Sequence, residues 1–184
     1  MGAHTTLTVP TPELMTGLGR RLAGVLRPGD LVLLSGELGA GKTTLTRGLG
    51  EGLGVRGAVT SPTFVIARVH PSLVGGPALV HVDAYRLGGG LDEMEDLDLD
   101  VSLPQSVVVV EWGEGKVEEL SQERLEVRIE RALGGAEPAT AVALEASAEV
   151  AEEMADPRRV TLRGLGERWT GVDLAALEVD GADV

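Results

Sequence analysis

The chain has 184 residues, 43% of them hydrophobic, and a formal net charge of -13, enough for one globular unit with a real core and too little for two. It contains no cysteine, which excludes disulfides, thiolate chemistry and cysteine-based zinc sites, and His4, His70 and His81 have no metal-cage spacing. An acidic chain whose only aromatics are Phe64, Tyr85, Trp112 and Trp169 lacks both the cation cluster and the stacking platform of a direct nucleic-acid binder.

In chain order, Thr5 to Val9 reads as a short strand. Thr11, Pro12 and Glu13 then read as the N-cap, first residue and dipole-favouring acid of a helix with Leu14, Leu18, Leu22 and Val25 on its apolar face. Arg27-Pro28-Gly29-Asp30 turns the chain into Leu31 to Leu34, a continuous apolar run of the kind a parallel strand covered on both faces requires. A helix is expected from Lys42 to about Leu53 despite its glycines. Further strand candidates are Phe64 to Val69, Ala78 to Asp83 and Val107 to Glu111. Asp92, Glu93, Glu95, Asp96, Asp98 and Asp100 crowd the segment between the last two and read as a solvated face.

Two alternating stretches, Leu125 to Ile129 and Thr140 to Leu144, flank Gly134-Gly135 and predict an antiparallel hairpin added to the sheet. Beyond about Ser147 the composition becomes acidic and is broken by Pro157 and several glycines. Residues 1–147 are thus expected to form the folded domain and 148–184 a weakly ordered acidic extension carrying an isolated Trp169. The first dozen residues lack the basic and apolar regions of a signal peptide, and no apolar run reaches membrane-spanning length, so a cytoplasmic location without a membrane is expected.

The stretch GELGAGKTT, residues 36–44, satisfies G-x-x-x-x-G-K-[ST] at Gly36, Gly41, Lys42 and Thr43. Glycines let successive backbone N–H groups turn inward into an anion nest closed by the positive end of the following helix. Lys42 can reach terminal phosphates and Thr43 can offer its hydroxyl to Mg2+. The chain has two lysines against fourteen arginines, and one of the two stands at this offset. Guanine recognition through N-K-x-D is impossible in a chain without asparagine, which favours ATP. ATP also calls for a carboxylate at the end of a hydrophobic strand beside the loop, and both Asp83 and Glu111 close such strands.

Four motifs in order and spacing, Gly36 to Thr44, Thr60-Ser61-Pro62-Thr63-Phe64, His81 to Leu87 and Glu111-Trp112, resemble the TsaE family of small bacterial ATPases needed to make threonylcarbamoyladenosine in tRNA. The resemblance runs from about Thr5 to Ser147. It implies an α/β P-loop NTPase fold, with a mixed, mainly parallel central sheet flanked by helices. It further implies ATP and Mg2+ as ligands, TsaD and TsaB as partners, and tRNA met only through that complex. The expected activity is an ATP hydrolysis, weak without partners, that resets the TsaB-TsaD complex.

Carried over by position, Gly39, Ala40, Gly41, Lys42, Thr43 and Thr44 would wrap the phosphates, and Thr43 and Glu111 would hold the metal. Asp83 would lie near the γ-phosphate and orient water or order the metal shell, and Thr63 would sense the γ-phosphate. Lys42, Asp83 and Glu111 are thus the candidate catalytic residues. One departure stands out: the family often has an arginine after the glycine of its C-terminal hairpin turn, whereas Gly134 to Thr140 has no basic residue. The alternative reading is a small-molecule kinase, but Gly113 to Glu119 has three acids, one lysine and no arginine and is poor material for an arginine-bearing lid.

Overall fold

The computed structural model describes residues 2–37, 39–57, 67–83, 103–111, 121–131 and 157–179. Nine elements follow in order: β1 (His4–Val9), α1 (Pro12–Ala23), β2 (Leu31–Gly36), α2 (Lys42–Leu53), β3 (Ala67–His70), β4 (Ala78–Asp83), β5 (Ser106–Glu111), β6 (Arg124–Arg131) and β7 (Arg158–Leu165), with three short 3-10 turns. The strands form one sheet in the order β1-β7-β6-β2-β5-β4-β3. Its four central strands, β6, β2, β5 and β4, run parallel, and β3, β7 and β1 are added antiparallel. The expected mixed α/β architecture is therefore present.

Parallel strands are covered on both faces, which is why their sequences read as unbroken apolar runs. Val107 to Val110 and Leu31 to Leu34 are all at most 3% exposed. Alternate residues of β2, β5 and β6, including Val32, Leu34, Val107, Val109, Leu125 and Val127, join α1 and α2 in one core cluster. Leu31, Leu33, Val108 and Val110 are as deeply buried on the other face.

Helix α1 begins as its sequence predicts, with the Leu14 amide donating to Thr11 Oγ1 at 3.2 Å and Pro12 opening the first turn. It buries Leu14, Met15, Leu18 and Leu22. The glycines of α2 have a packing purpose. A Cβ on Gly48 would stand 2.0 Å from the Thr16 carbonyl oxygen, and one on Gly19 of α1 would stand 2.2 Å from that of Leu45. The two helices touch backbone to backbone, and this close approach offsets the roughly 0.5–1 kcal/mol that a glycine costs within a helix.

Two sequence expectations are corrected at the C-terminal side. The antiparallel partner of β6 is β7, in register from Arg124↔Leu165 to Arg131↔Arg158. The other edge of β6 is taken by β2, from Val32↔Leu125 to Gly36↔Ile129. No edge of Leu125 to Ile129 remains for Thr140 to Leu144, a stretch outside the described residues. The division at 147/148 likewise fails, because β7 lies inside the sheet between β1 and β6.

The chain after β7 closes the core. Trp169 is fully buried, and Leu174, Leu177 and Val179 are at most 5% exposed. The Arg168 guanidinium donates to both Asp30 carboxylate oxygens, at 2.9 and 2.7 Å, and to the Val25 carbonyl at 2.7 Å. It also lies 4.4 Å over the Trp169 ring. Glycine is required at 164, where a Cβ would meet Trp169 Cβ at 2.4 Å. Composition misled here because acids at 145–156 and Pro157 outweighed a short alternating strand whose buried positions are Val160, Leu162 and Gly164.

Candidate nucleotide site

The glycine loop leaves β2 at Gly36 and enters α2 at Lys42. Gly39 and Gly41 have φ of 79° and 112°, the left-handed region that glycine enters without a Cβ penalty. A Cβ on Gly36 would meet the Ile129 carbonyl oxygen at 2.7 Å, so a side chain there would push β6 off the loop. Gly41 caps α2 by its backbone alone, leaving the first amides of the helix facing the loop. Leu38 lies outside the described residues.

Lys42 is 7% exposed. Its Nζ donates to the carbonyls of Gly36 at 2.6 Å and Glu37 at 3.0 Å. Burial pushes the ammonium below the ordinary lysine range, while the Glu111 and Asp83 carboxylates pull it back up. Thr43 and Thr44 are half-buried in the first turn of α2.

Sheet register brings the two carboxylates together. Asp83 and Glu111 end β4 and β5 and pair directly, and Leu34 of β2 pairs with Glu111 from the other side. Both acids thus stand at the carboxyl ends of parallel strands beside the loop, where open α/β sheets place their ligands. Glu111 is 3% exposed and its Oε1 has no hydrogen-bond partner. A deeply buried carboxylate at this strand end, with no aligned hydrogen bond at Oε1, has the oxygen chemistry of a hard-cation ligand. No group of three or more His, Asp or Glu side chains suited to a metal exists among the described residues. Magnesium is compatible with that, since it uses one or two carboxylates and fills its shell from phosphates and water.

Sequence reasoning missed an arginine. Arg158, the first residue of β7, donates from Nε to the Ala40 carbonyl at 3.0 Å and from Nη2 to that of Gly39 at 3.4 Å. Its register partner Arg131 brings Nη2 within 3.7 Å of where a Cβ on Gly39 would stand. Two basic groups thus reach the loop from the end of the β6–β7 pair where the chain leaves β6 and re-enters β7. Arg158 also lines a cavity of about 120 Å3 with Thr11, Pro12, Met15, Gly41 and Thr44. No local sequence signal ties residue 158 to residue 40, because the contact depends on sheet register. Thr63, with the rest of Thr60 to Phe64, and Arg86 and Trp112 lie outside the described residues.

A family model described as "Threonylcarbamoyl adenosine biosynthesis protein TsaE" matches residues 9–136. The Streptomyces coelicolor tRNA threonylcarbamoyladenosine biosynthesis protein TsaE is 69% identical over 163 residues, spanning 89% of this chain and 99% of that protein. The Mycobacterium tuberculosis protein of the same name is 53% identical over 132 residues, spanning 68% of this chain and 79% of its own length. The crystal structure of Bacillus subtilis YdiB is similar with a TM-score of 0.66 at 31% identity, covering 92% of this chain and 91% of that one. Since 163 matched residues cannot fit within 1–147, the likeness to the Streptomyces protein extends into the C-terminal region. No helix among the described residues is long and apolar enough to cross a membrane. The chain belongs to the TsaE family.

Proposed function

We propose that this chain is a Mg2+-dependent ATPase subunit serving threonylcarbamoyladenosine formation in tRNA, and that its hydrolysis of ATP resets a TsaB-TsaD partner complex that performs the transfer onto adenosine. The observation that carries the reading is the register pairing of Asp83 with Glu111 beside a glycine nest whose lysine is already buried among backbone carbonyls.

In this reading the amides of Gly39 to Thr44 enclose the phosphates. Lys42 exchanges its bonds to Gly36 and Glu37 for bonds to phosphate oxygens. Its desolvation is already in place, so the charge acts in a site of low effective dielectric. Thr43 and Glu111 would hold magnesium, which when bound neutralises charge on the β- and γ-phosphates. Asp83, beside Glu111 and less deeply buried, orients the attacking water, a positioning role rather than covalent chemistry. The cavity next to Thr44 receives the nucleoside. Pro12 and Met15 offer apolar surface to the base, and Arg158 offers a planar cation.

Phosphate release measured with and without the purified partner pair tests the proposal. Slow release by the protein alone and marked stimulation by the partners are expected, both abolished in Lys42→Ala. Full tRNA modification supported by Lys42→Ala, together with no stimulation of the native protein, would overturn it.

A further inference from the structure

His81 lies on β4 on the same face as Leu79 and Asp83, and its register partner on β5 is Val109. It is fully buried. Its strand neighbours Leu79, Val80 and Val82 show what packing alone selects here, and an imidazole in their place brings two polar nitrogens into the interior. Neither nitrogen makes an aligned hydrogen bond. Glu111 Oε1, equally unmatched, lies 3.2 Å from His81 Nε2. The separation is that of a hydrogen bond and only the alignment is missing. A rotation about the last torsion of Glu111, which is broad in glutamate, would supply it. An unmatched buried polar group costs about 1–3 kcal/mol. Two such groups facing each other at this distance are most economically one interaction not yet closed, and hydrogen bonds at active sites are often misaligned until ligand is present.

We propose that His81 is a positioning residue. It carries its proton on Nε2 and donates to Glu111 Oε1 when nucleotide is bound, which fixes the carboxylate plane and aims the remaining oxygen at the cation. Carboxylates that hold metals are themselves commonly held by a hydrogen-bond donor behind them. The inference rests on the nucleotide reading above and adds one residue to it.

ADP affinity measured by calorimetry without Mg2+ and across a Mg2+ titration separates the two claims without relying on turnover. His81→Leu should bind ADP in the absence of Mg2+ within about twofold of the native protein, yet require about tenfold more Mg2+ for the half-maximal effect, the usual scale for loss of such a donor. His81→Gln, whose amide nitrogen reaches near the Nε2 position, should stay close to native. His81→Asn, whose amide falls short, should resemble His81→Leu. A native Mg2+ requirement in folded His81→Leu overturns the inference while leaving the nucleotide reading intact. If the leucine variant does not fold, equal Mg2+ requirements in the glutamine and asparagine variants overturn it. Failure of the native protein to bind ADP at all removes the nucleotide reading, and this inference with it.

Discussion

The parallel centre and the antiparallel flank of this sheet are built from different kinds of sequence, yet both end at the same loop. Strand β5 is an unbroken valine run, buried on both faces, that delivers Glu111. Strand β7 alternates, follows an acidic and proline-marked stretch, and delivers Arg158. The contrast teaches that the carboxylates and the arginine reach the loop by separate routes. One comes from strands whose burial is written in their composition. The other comes from a strand whose place depends on which partner it finds.

If the flank belongs to the folding unit, Trp169→Ala should be the most damaging of the simple substitutions, costing about 3–5 kcal/mol for a fully buried indole. Urea denaturation would show it as a lower midpoint with an unchanged slope. A loss under about 1 kcal/mol would mean that the core ends at β6. Within the centre, Lys42→Ala should weaken ATP binding by about one to two decades, from loss of a charge-assisted contact of roughly 1.5–3 kcal/mol. Equal affinity in variant and native protein would empty the loop of its assigned role.

Arg158→Ala sharpens the contrast from the other side. Its guanidinium is half-buried and bonds to loop carbonyls, so nucleotide affinity should fall by about threefold to tenfold, an effect of about 1 kcal/mol, while the unfolding midpoint barely moves. A stability loss as large as that of Trp169→Ala, with affinity intact, would make Arg158 a strut rather than part of the site. The smallest effect belongs to the opposite edge of the sheet. Burial holds His70 below the ordinary histidine value of 6.5, so the unfolded chain takes up the proton first as pH falls. The associated stability is complete above the ordinary value and declines as pH drops below it toward the lowered folded value. Urea midpoints compared at about pH 7.5 and pH 5.5 should show this acid sensitivity in the native protein and less of it in His70→Gln. Identical slopes would show that His70 is not the group responsible.

Much of the centre could be read directly. Helix α1 follows from Thr11, Pro12 and its apolar spacing: its cap and the buried Leu14, Leu18 and Leu22 are found as expected, while Val25 falls past the helix end at Ala23 and is only partly buried. Strands β2, β4 and β5 follow from valine and leucine runs closed by a glycine or an acid, and the loop follows from its glycine and lysine spacing. The hairpin partner could not be read this way. Thr140 to Leu144 alternates as well as Arg158 to Leu165 does, and alternation states that a strand has one buried face without stating which edge it will join. Arg158 was invisible for the same reason, since nothing local to it mentions the loop.

The sequence by itself determined that a turn of the G-x-x-x-x-G-K-[ST] pattern sits between an apolar strand and a helix, and that Asp83 and Glu111 each close an apolar run. These are local facts, set by periodicity, dihedral freedom and charge over a few neighbouring residues. Only the tertiary structure decided that Asp83 and Glu111 stand side by side, that His81 faces Glu111, and that Arg158 braces the loop. Such pairings are set by strand order and register, which emerge from the burial of the whole sheet at once.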